Sequence, residues 1–229
     1  MKRVKLGFAV ALVLAALPFA AAAQEEEASS PFSWSVAATT DYVWRGVSQS
    51  DGDPAFQAGL TYTSPVGLYV GGWASTVDFG AGGWENDWFV GYNKDITESF
   101  NFDVMYNYYS YPGGDNTGDF GELIAKGTFF DNYSATVAYS DSFANTKGSS
   151  LYYALGAGWE LPADFGIAVG VGRSTFDDKV GIDDYSDWSV SLSKSFGPAT
   201  LALGYTDTNI DNEPLADDRF SLSITVAGP

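Results

Sequence analysis

From Phe32 onward the chain keeps a period of two, and no helical period competes with it. In the first stretch Phe32, Trp34, Val36, Ala38, Thr40, Tyr42 and Trp44 share one parity, while Ser33, Ser35, Ala37, Thr39, Asp41 and Arg45 share the other. A strand turns successive side chains to opposite faces, so this stretch has one apolar face and one small or polar face. The same alternation returns in Phe56 to Thr63, Phe100 to Tyr108, Tyr133 to Tyr139, Leu151 to Trp159, Asp187 to Leu192, Thr200 to Tyr205 and Arg219 to Val226.

Three segments fit the rule less simply. Leu68 to Val77 is apolar on both parities, and Phe120 to Phe129 needs Leu123, Ala125 and Phe129 outward if Glu122 and Lys126 are to point inward. Arg173 shares the outward parity of Phe165 to Val171, which places it at a membrane rim, where a long cationic side chain can reach water.

The connections alternate in length. Brief turns at Ser64-Pro65-Val66, Lys94 to Glu98, Phe130-Asp131-Asn132, Glu160 to Asp164 and Ser195 to Pro198 interleave with longer polar loops. Those loops run over Gly46 to Asp53, Asp78 to Gly83, Tyr111 to Gly118, Ser142 to Gly148, Asp177 to Ile182 and Asn209 to Ala216. Five turns and six loops separate twelve strands. An even strand number with short turns at one end and long loops at the other is the grammar of bacterial outer-membrane barrels, whose termini lie in the periplasm. The expected fold is therefore all-β: an antiparallel up-and-down transmembrane β-barrel of about twelve strands over residues 32–229.

A soluble secreted β-sandwich would also alternate, with its apolar parity turned into a core. Two features favour lipid. The second parity is dominated by Ser, Thr, Gly and Ala with scattered charges, which suits a crowded wet lumen. Aromatics also gather near strand ends, as in Trp34 with Trp44, Phe56 with Tyr62 and Tyr153 with Trp159, where interfacial girdles belong. Aromatics reach 16% and Gly 26 of 229 residues, yet mean hydropathy is only −0.06, the average that one lipid face and one wet face would give.

Residues 1–23 have the three parts of a secretory signal. Lys2, Arg3 and Lys5 precede the apolar run Leu6 to Leu17, and small residues end it at Ala21-Ala22-Ala23, so cleavage is expected before Gln24. Residues 24–31 read as a flexible acidic lead-in. No later apolar run approaches the roughly 18 residues of a transmembrane helix. Cleavage leaves 8 basic against 29 acidic residues, a mature net charge of −21. Nucleic acid is thereby excluded as a partner, because phosphate neutralisation needs Lys and Arg.

The sequence has no Cys and no His, so disulfide staples, histidine-ligated zinc and Ser-His-Asp hydrolysis are all excluded. An outer-membrane enzyme would be left with carboxylate chemistry, and no acids are paired to perform it. No cofactor is called for. The loop acids Asp51 and Asp53, Asp177 and Asp178, Asp183 and Asp184, and Asp217 and Asp218 lack the spacing of a calcium loop and read as solvated charge. Gly80 to Gly83 and Gly170-Val171-Gly172 precede no helix and read as sites of close strand packing.

The inward parity supplies the pore-lining candidates Asp41, Arg45, Gln57, Asp87, Asp103, Glu122, Lys126, Asp187 and Arg219. Asp41 and Arg45, four apart at the loop end of the first strand, could form part of a constriction or could pin the first loop by a charge-assisted hydrogen bond. Acids outnumber bases in this set, which implies a mild preference for cations.

The run Asp41 to Gly59, DYVWRGVSQSDGDPAFQAG, resembles the opening motif of the proteobacterial TorF-type porins, also known as the Gcw_chp family. Gly67 to Val77 is similar to that family's second block, and Glu85 and Asp87 before Gly91-Tyr92 are similar to its third. The chain departs from the usual aromatic finish of such barrels, since Val226 is followed by Ala227-Gly228-Pro229. The resemblance implies a Gram-negative outer-membrane barrel that lets small solutes or ions diffuse, with outer-membrane lipid and the barrel-assembly machinery as its partners. It names no solute and no oligomeric state. The contrasting expectation is a non-conducting structural or adhesin-type barrel whose lumen is filled by side chains, as small barrels commonly are.

Overall fold

The computed structural model describes residues 30–79, 83–113 and 118–229. The expected signal peptide and most of the acidic lead-in lie outside the described residues, as do Gly80 to Gly82 of one glycine run.

Twelve antiparallel strands close into one barrel. In chain order they are β1 (Phe32–Thr39), β2 (Ala55–Thr63), β3 (Leu68–Thr76), β4 (Trp84–Thr97), β5 (Phe100–Ser110), β6 (Phe120–Phe129), β7 (Tyr133–Ser140), β8 (Ser150–Leu161), β9 (Phe165–Phe176), β10 (Tyr185–Phe196), β11 (Ala199–Thr208) and β12 (Arg219–Gly228). Each strand pairs with its sequence neighbours, and β1 closes the ring by pairing with both β2 and β12, Val36 facing Ala58 on one side and Val226 on the other. Closure leaves no unpaired edge.

The strand number and the alternation of short and long connections match the expected fold. One turn is tighter than expected, since pairing between β4 and β5 runs through Lys94 and Asp95 to Thr97, with a register shift before Thr97. Gly67, at φ 90°, closes the turn between β2 and β3, and its carbonyl accepts a hydrogen bond of 2.9 Å from the Asn93 amide. A side chain there would collide with the Asn93 carbonyl oxygen, so only glycine fits this turn.

The apolar parity faces out all the way round the ring. Val36, Leu60, Val70, Val90, Leu155, Val171 and Ile224 are exposed near the middle of their strands. Exposed aromatics flank them, including Trp34, Tyr62, Tyr133 and Phe196 toward the short turns and Phe56, Trp88, Tyr153 and Phe220 toward the long loops. An apolar belt between two aromatic girdles is what a bilayer requires, and a water-facing barrel would not carry it. Arg173 lies at the long-loop rim, where it hydrogen-bonds Ser186 and sits 3.5 Å from Asp184. Lys194 does the same at the other rim, reaching the Ala163 carbonyl and Asp164 across the Phe165 and Phe196 rings.

Arginine in place of Leu155, which stands mid-strand with 62% exposure, is expected to lower unfolding free energy by about 2–4 kcal/mol in liposomes. Urea titration of the reconstituted barrel measures it. A loss below about 1 kcal/mol would mean that this face is wet rather than in lipid.

Candidate functional site

The alternation of the first stretch ends at Thr39. Instead of continuing outward, the loop of residues 40–54 folds into the lumen, where Val43 pairs with Ser48 and Trp44 with Val47. The two residues between, Arg45 at φ 50° and Gly46 at φ 81°, both take positive φ, the requirement of a type I′ hairpin turn. The ladder is extended by the Gln49 amide donating to the Tyr42 carbonyl at 2.6 Å, and the Tyr42 amide donates to Ser50 Oγ at 2.9 Å. Neighbouring loops hold it in place, the Ser48 amide donating to the Leu215 carbonyl and the Asp78 amide to the Gln49 carbonyl. Trp44 and Tyr42 are therefore inside the barrel and do not belong to an outer girdle, which corrects the expectation drawn from their parity. Period two holds only while the backbone stays in the sheet.

The hairpin reaches most of the wall. Trp44 stacks on Phe143 at 6.2 Å and meets Tyr109 and Phe120 edge-on. Tyr42 donates its hydroxyl to Glu85 of β4 at 2.9 Å and packs on Trp73 of β3. That contact explains the two apolar parities of β3: Val70 faces out, while Tyr69 and Trp73 serve the interior. A side chain on Gly46 would collide with Thr208 and come within 3.0 Å of Asp187 Cβ, so the turn abuts β10 and β11.

The nine candidates fall into separate stations. Asp41 and Arg45 do not pair with each other. Asp41 Oδ2 accepts from Arg219 Nη1 at 2.8 Å, and its Oδ1 accepts from Ser48 and Ser50 at 2.6 and 3.0 Å. This carboxylate fastens the base of the hairpin to β12. Arg45 instead donates to Glu122 Oε2 at 2.8 Å, with both side chains buried. Its guanidinium lies between the Trp44 ring at 4.1 Å and the Tyr152 ring at 4.2 Å.

Around this pair are further buried polar groups. Tyr109 donates to Glu122 Oε2 at 2.9 Å, Tyr152 to Asp187 Oδ1 at 3.3 Å, and Asn107 to Asp87 Oδ2 at 3.0 Å. Glu122 Oε1, Asp87 Oδ1 and Asp187 Oδ2 have no hydrogen-bond partner among the described residues. Toward the short turns, Asp103 accepts from Tyr69 at 2.9 Å and from Asn93 at 3.0 Å and stands opposite Lys126. Gln57 lies half buried on the inner parity of β2.

Four carboxylates, Glu85, Asp87, Glu122 and Asp187, thus share the loop-end half of the lumen with Arg45, while Arg219 at the same end is taken up by Asp41. Among the described residues no group of three or more acids is placed to hold a metal ion. Sequence reasoning missed Trp44, Glu85 and Tyr42 as interior residues. Tyr109 and Tyr152 stand on inner parities, where bulk on an otherwise small or polar face was the available signal.

No curated protein matches the chain. Among solved structures the barrel is similar to the KdgM porin, with TM-score 0.56, 9% identity, and 85% of this chain and 98% of that one covered. It is also similar to the NanC porin, with TM-score 0.59, 10% identity, and 86% and 99% covered. A second KdgM structure, described as in complex with disordered oligogalacturonate, gives 0.55, 9%, 85% and 98%. These likenesses show a porin-like barrel fold. The Gcw_chp family model, described as "Bacterial protein of unknown function", matches residues 23–224, and the chain belongs to that family.

Proposed function

We propose that the chain is an outer-membrane channel for small solutes, exported through its signal sequence and narrowed by the hairpin of residues 42–50. The observation that carries this reading is the hairpin itself, which brings Arg45 onto Glu122 and Tyr42 onto Glu85 in the half of the lumen where Asp87 and Asp187 are also buried. A barrel wall needs no such insertion to stand, whereas fixed charge at a narrow place is how channels select what passes. The acid excess favours cations. It also argues against a polyanion such as the oligogalacturonate that accompanies one neighbour's structure, since like charge in a low-dielectric lumen repels. The porin-like fold supports a channel over an enzyme.

Planar-bilayer recording of the purified protein under a potassium chloride gradient tests the channel. The reversal potential is expected to carry the sign of cation selectivity; anion selectivity would refute the charge assignment. The packing of Trp44 with Tyr109, Phe120 and Phe143 favours the rival reading, a non-conducting structural barrel. Liposome swelling with graded sugars and ions separates the two, since a filled barrel admits none.

A further inference from the structure

Arg45 is held in a conformation its own backbone disfavours. At φ 50° it lies in the left-handed region, where a long side chain is uncommon and persists only when its surroundings hold it there. The hairpin turn sets that backbone, and it delivers the side chain into a cage of two aromatic faces and a fully buried carboxylate: Trp44 at 4.1 Å, Tyr152 at 4.2 Å and Glu122 at 2.8 Å. The cage is more negative than its occupant needs. Among the described residues Glu122 keeps one oxygen without a hydrogen-bond partner, and Asp187, which accepts from the Tyr152 hydroxyl, keeps another.

We propose that Trp44, Tyr152 and Glu122 form a binding cage for an organic cation of the guanidinium or alkylammonium class, and that Arg45 occupies it as a tethered stand-in. The proposal deepens the channel reading and rests on it for the solute's access to the lumen. Aromatic faces paired with a carboxylate suit a weakly hydrated, delocalised or alkylated cation better than a small hydrated one. A permeating cation of this class would compete with Arg45 for the cage. Because the stand-in lies on the turn of the hairpin, its release loosens the tip of the element that narrows the lumen, while the base stays fastened through Asp41 and Ser48. The solute would then loosen its own constriction.

A cation carried on the chain competes at a high effective concentration, so its removal should tighten a free ligand's apparent affinity about tenfold or more. The test is isothermal titration of the detergent-solubilised full-length barrel with ethylguanidinium chloride, with sodium chloride as the control. Arg45→Gly removes the guanidinium and suits the positive φ. This variant is expected to bind ethylguanidinium at least about tenfold more tightly than the wild type, and Arg45→Gly with Glu122→Gln to lose that gain. Equal affinity in all three proteins, or no binding by a heat-modifiable Arg45→Gly barrel, overturns the cage. Arg45→Asn, which also tolerates the left-handed region, decides in the same way if the glycine variant does not fold.

Wild-type bilayer currents supply the independent arm. Ethylguanidinium should modulate the potassium chloride current where sodium at equal ionic strength does not, and an unaffected current in a conducting channel overturns the proposal. Binding by Arg45→Gly without any wild-type conductance would refute the channel reading and leave the cage standing.

Discussion

Replacing Glu122 with Leu should cost the barrel about 3–5 kcal/mol of unfolding free energy, the usual penalty for stranding one member of a buried ion pair. Glu122 has no exposed surface and Arg45 retains 8%, so neither charge can turn to bulk water. One further loss adds to the first. The Tyr109 hydroxyl loses its acceptor, and an unsatisfied buried donor costs about 1–3 kcal/mol. One compensation works the other way, because the turn abuts Asp187, whose Oδ2 has no hydrogen-bond partner among the described residues and can take part of the guanidinium's charge. We therefore expect the lower half of the range. Urea unfolding in liposomes measures it. The double variant Arg45→Met with Glu122→Leu removes both charges at similar volume and should recover most of the loss, since an apolar replacement of a buried pair is often neutral or better. Equal losses in the single and double variants would assign the cost to the packing of Glu122 alone.

The walls of this barrel were legible because lipid imposes one face on every strand. Val36, Leu60 and Leu155 had to face out once the period was two, and Glu122 had to face in once Leu123 faced out. Connection lengths carried the strand number for a related reason: turns at one end only close a hairpin, while loops at the other can be long. Parity failed at Tyr42 and Trp44, where the backbone leaves the sheet. The cue was Arg45-Gly46, a weaker hairpin signal than Asn-Gly, and its turn type became visible only with the positive φ of both residues. Partner choice was illegible for a different reason. Arg45 and Glu122 lie 77 residues apart, and Asp41 and Arg219 lie 178 apart. Parity says that such charges share an interior, but it cannot say which two meet. The spacing of Asp41 and Arg45 suggested a local pair, but Asp41 stands at the hairpin's base and Arg45 in its turn, and their side chains reach opposite walls, β12 and β6.

Excising Val43 to Ser48 and joining Tyr42 to Gln49 through Gly-Ser should raise single-channel conductance severalfold, roughly threefold to tenfold, since twelve strands enclose more space than the filled eight-stranded barrels. The junction is favourable because the Gln49 amide already donates to the Tyr42 carbonyl at 2.6 Å, so a two-residue turn spans the cut, at the loss of the hydrogen bonds from Ser48 to Asp41 and Leu215. Asp41 keeps Arg219 and Ser50, and the loop's anchor to β12 survives. Removing Arg45 also leaves Glu122 and Asp187 without their neighbouring base, so cation selectivity should rise together with conductance. That pairing of effects is the discriminating feature. A larger pore usually selects less because permeating ions pass farther from the wall charge; here the excision removes the base that neutralises Glu122, and the second effect should win. Bilayer recording of the excised and wild-type proteins under the same salt gradient reads both quantities at once. Unchanged conductance would mean that Tyr109, Phe120 and Phe143 fill the lumen without the hairpin's help, and the chain would then be a structural barrel whose inner charges serve only to brace it.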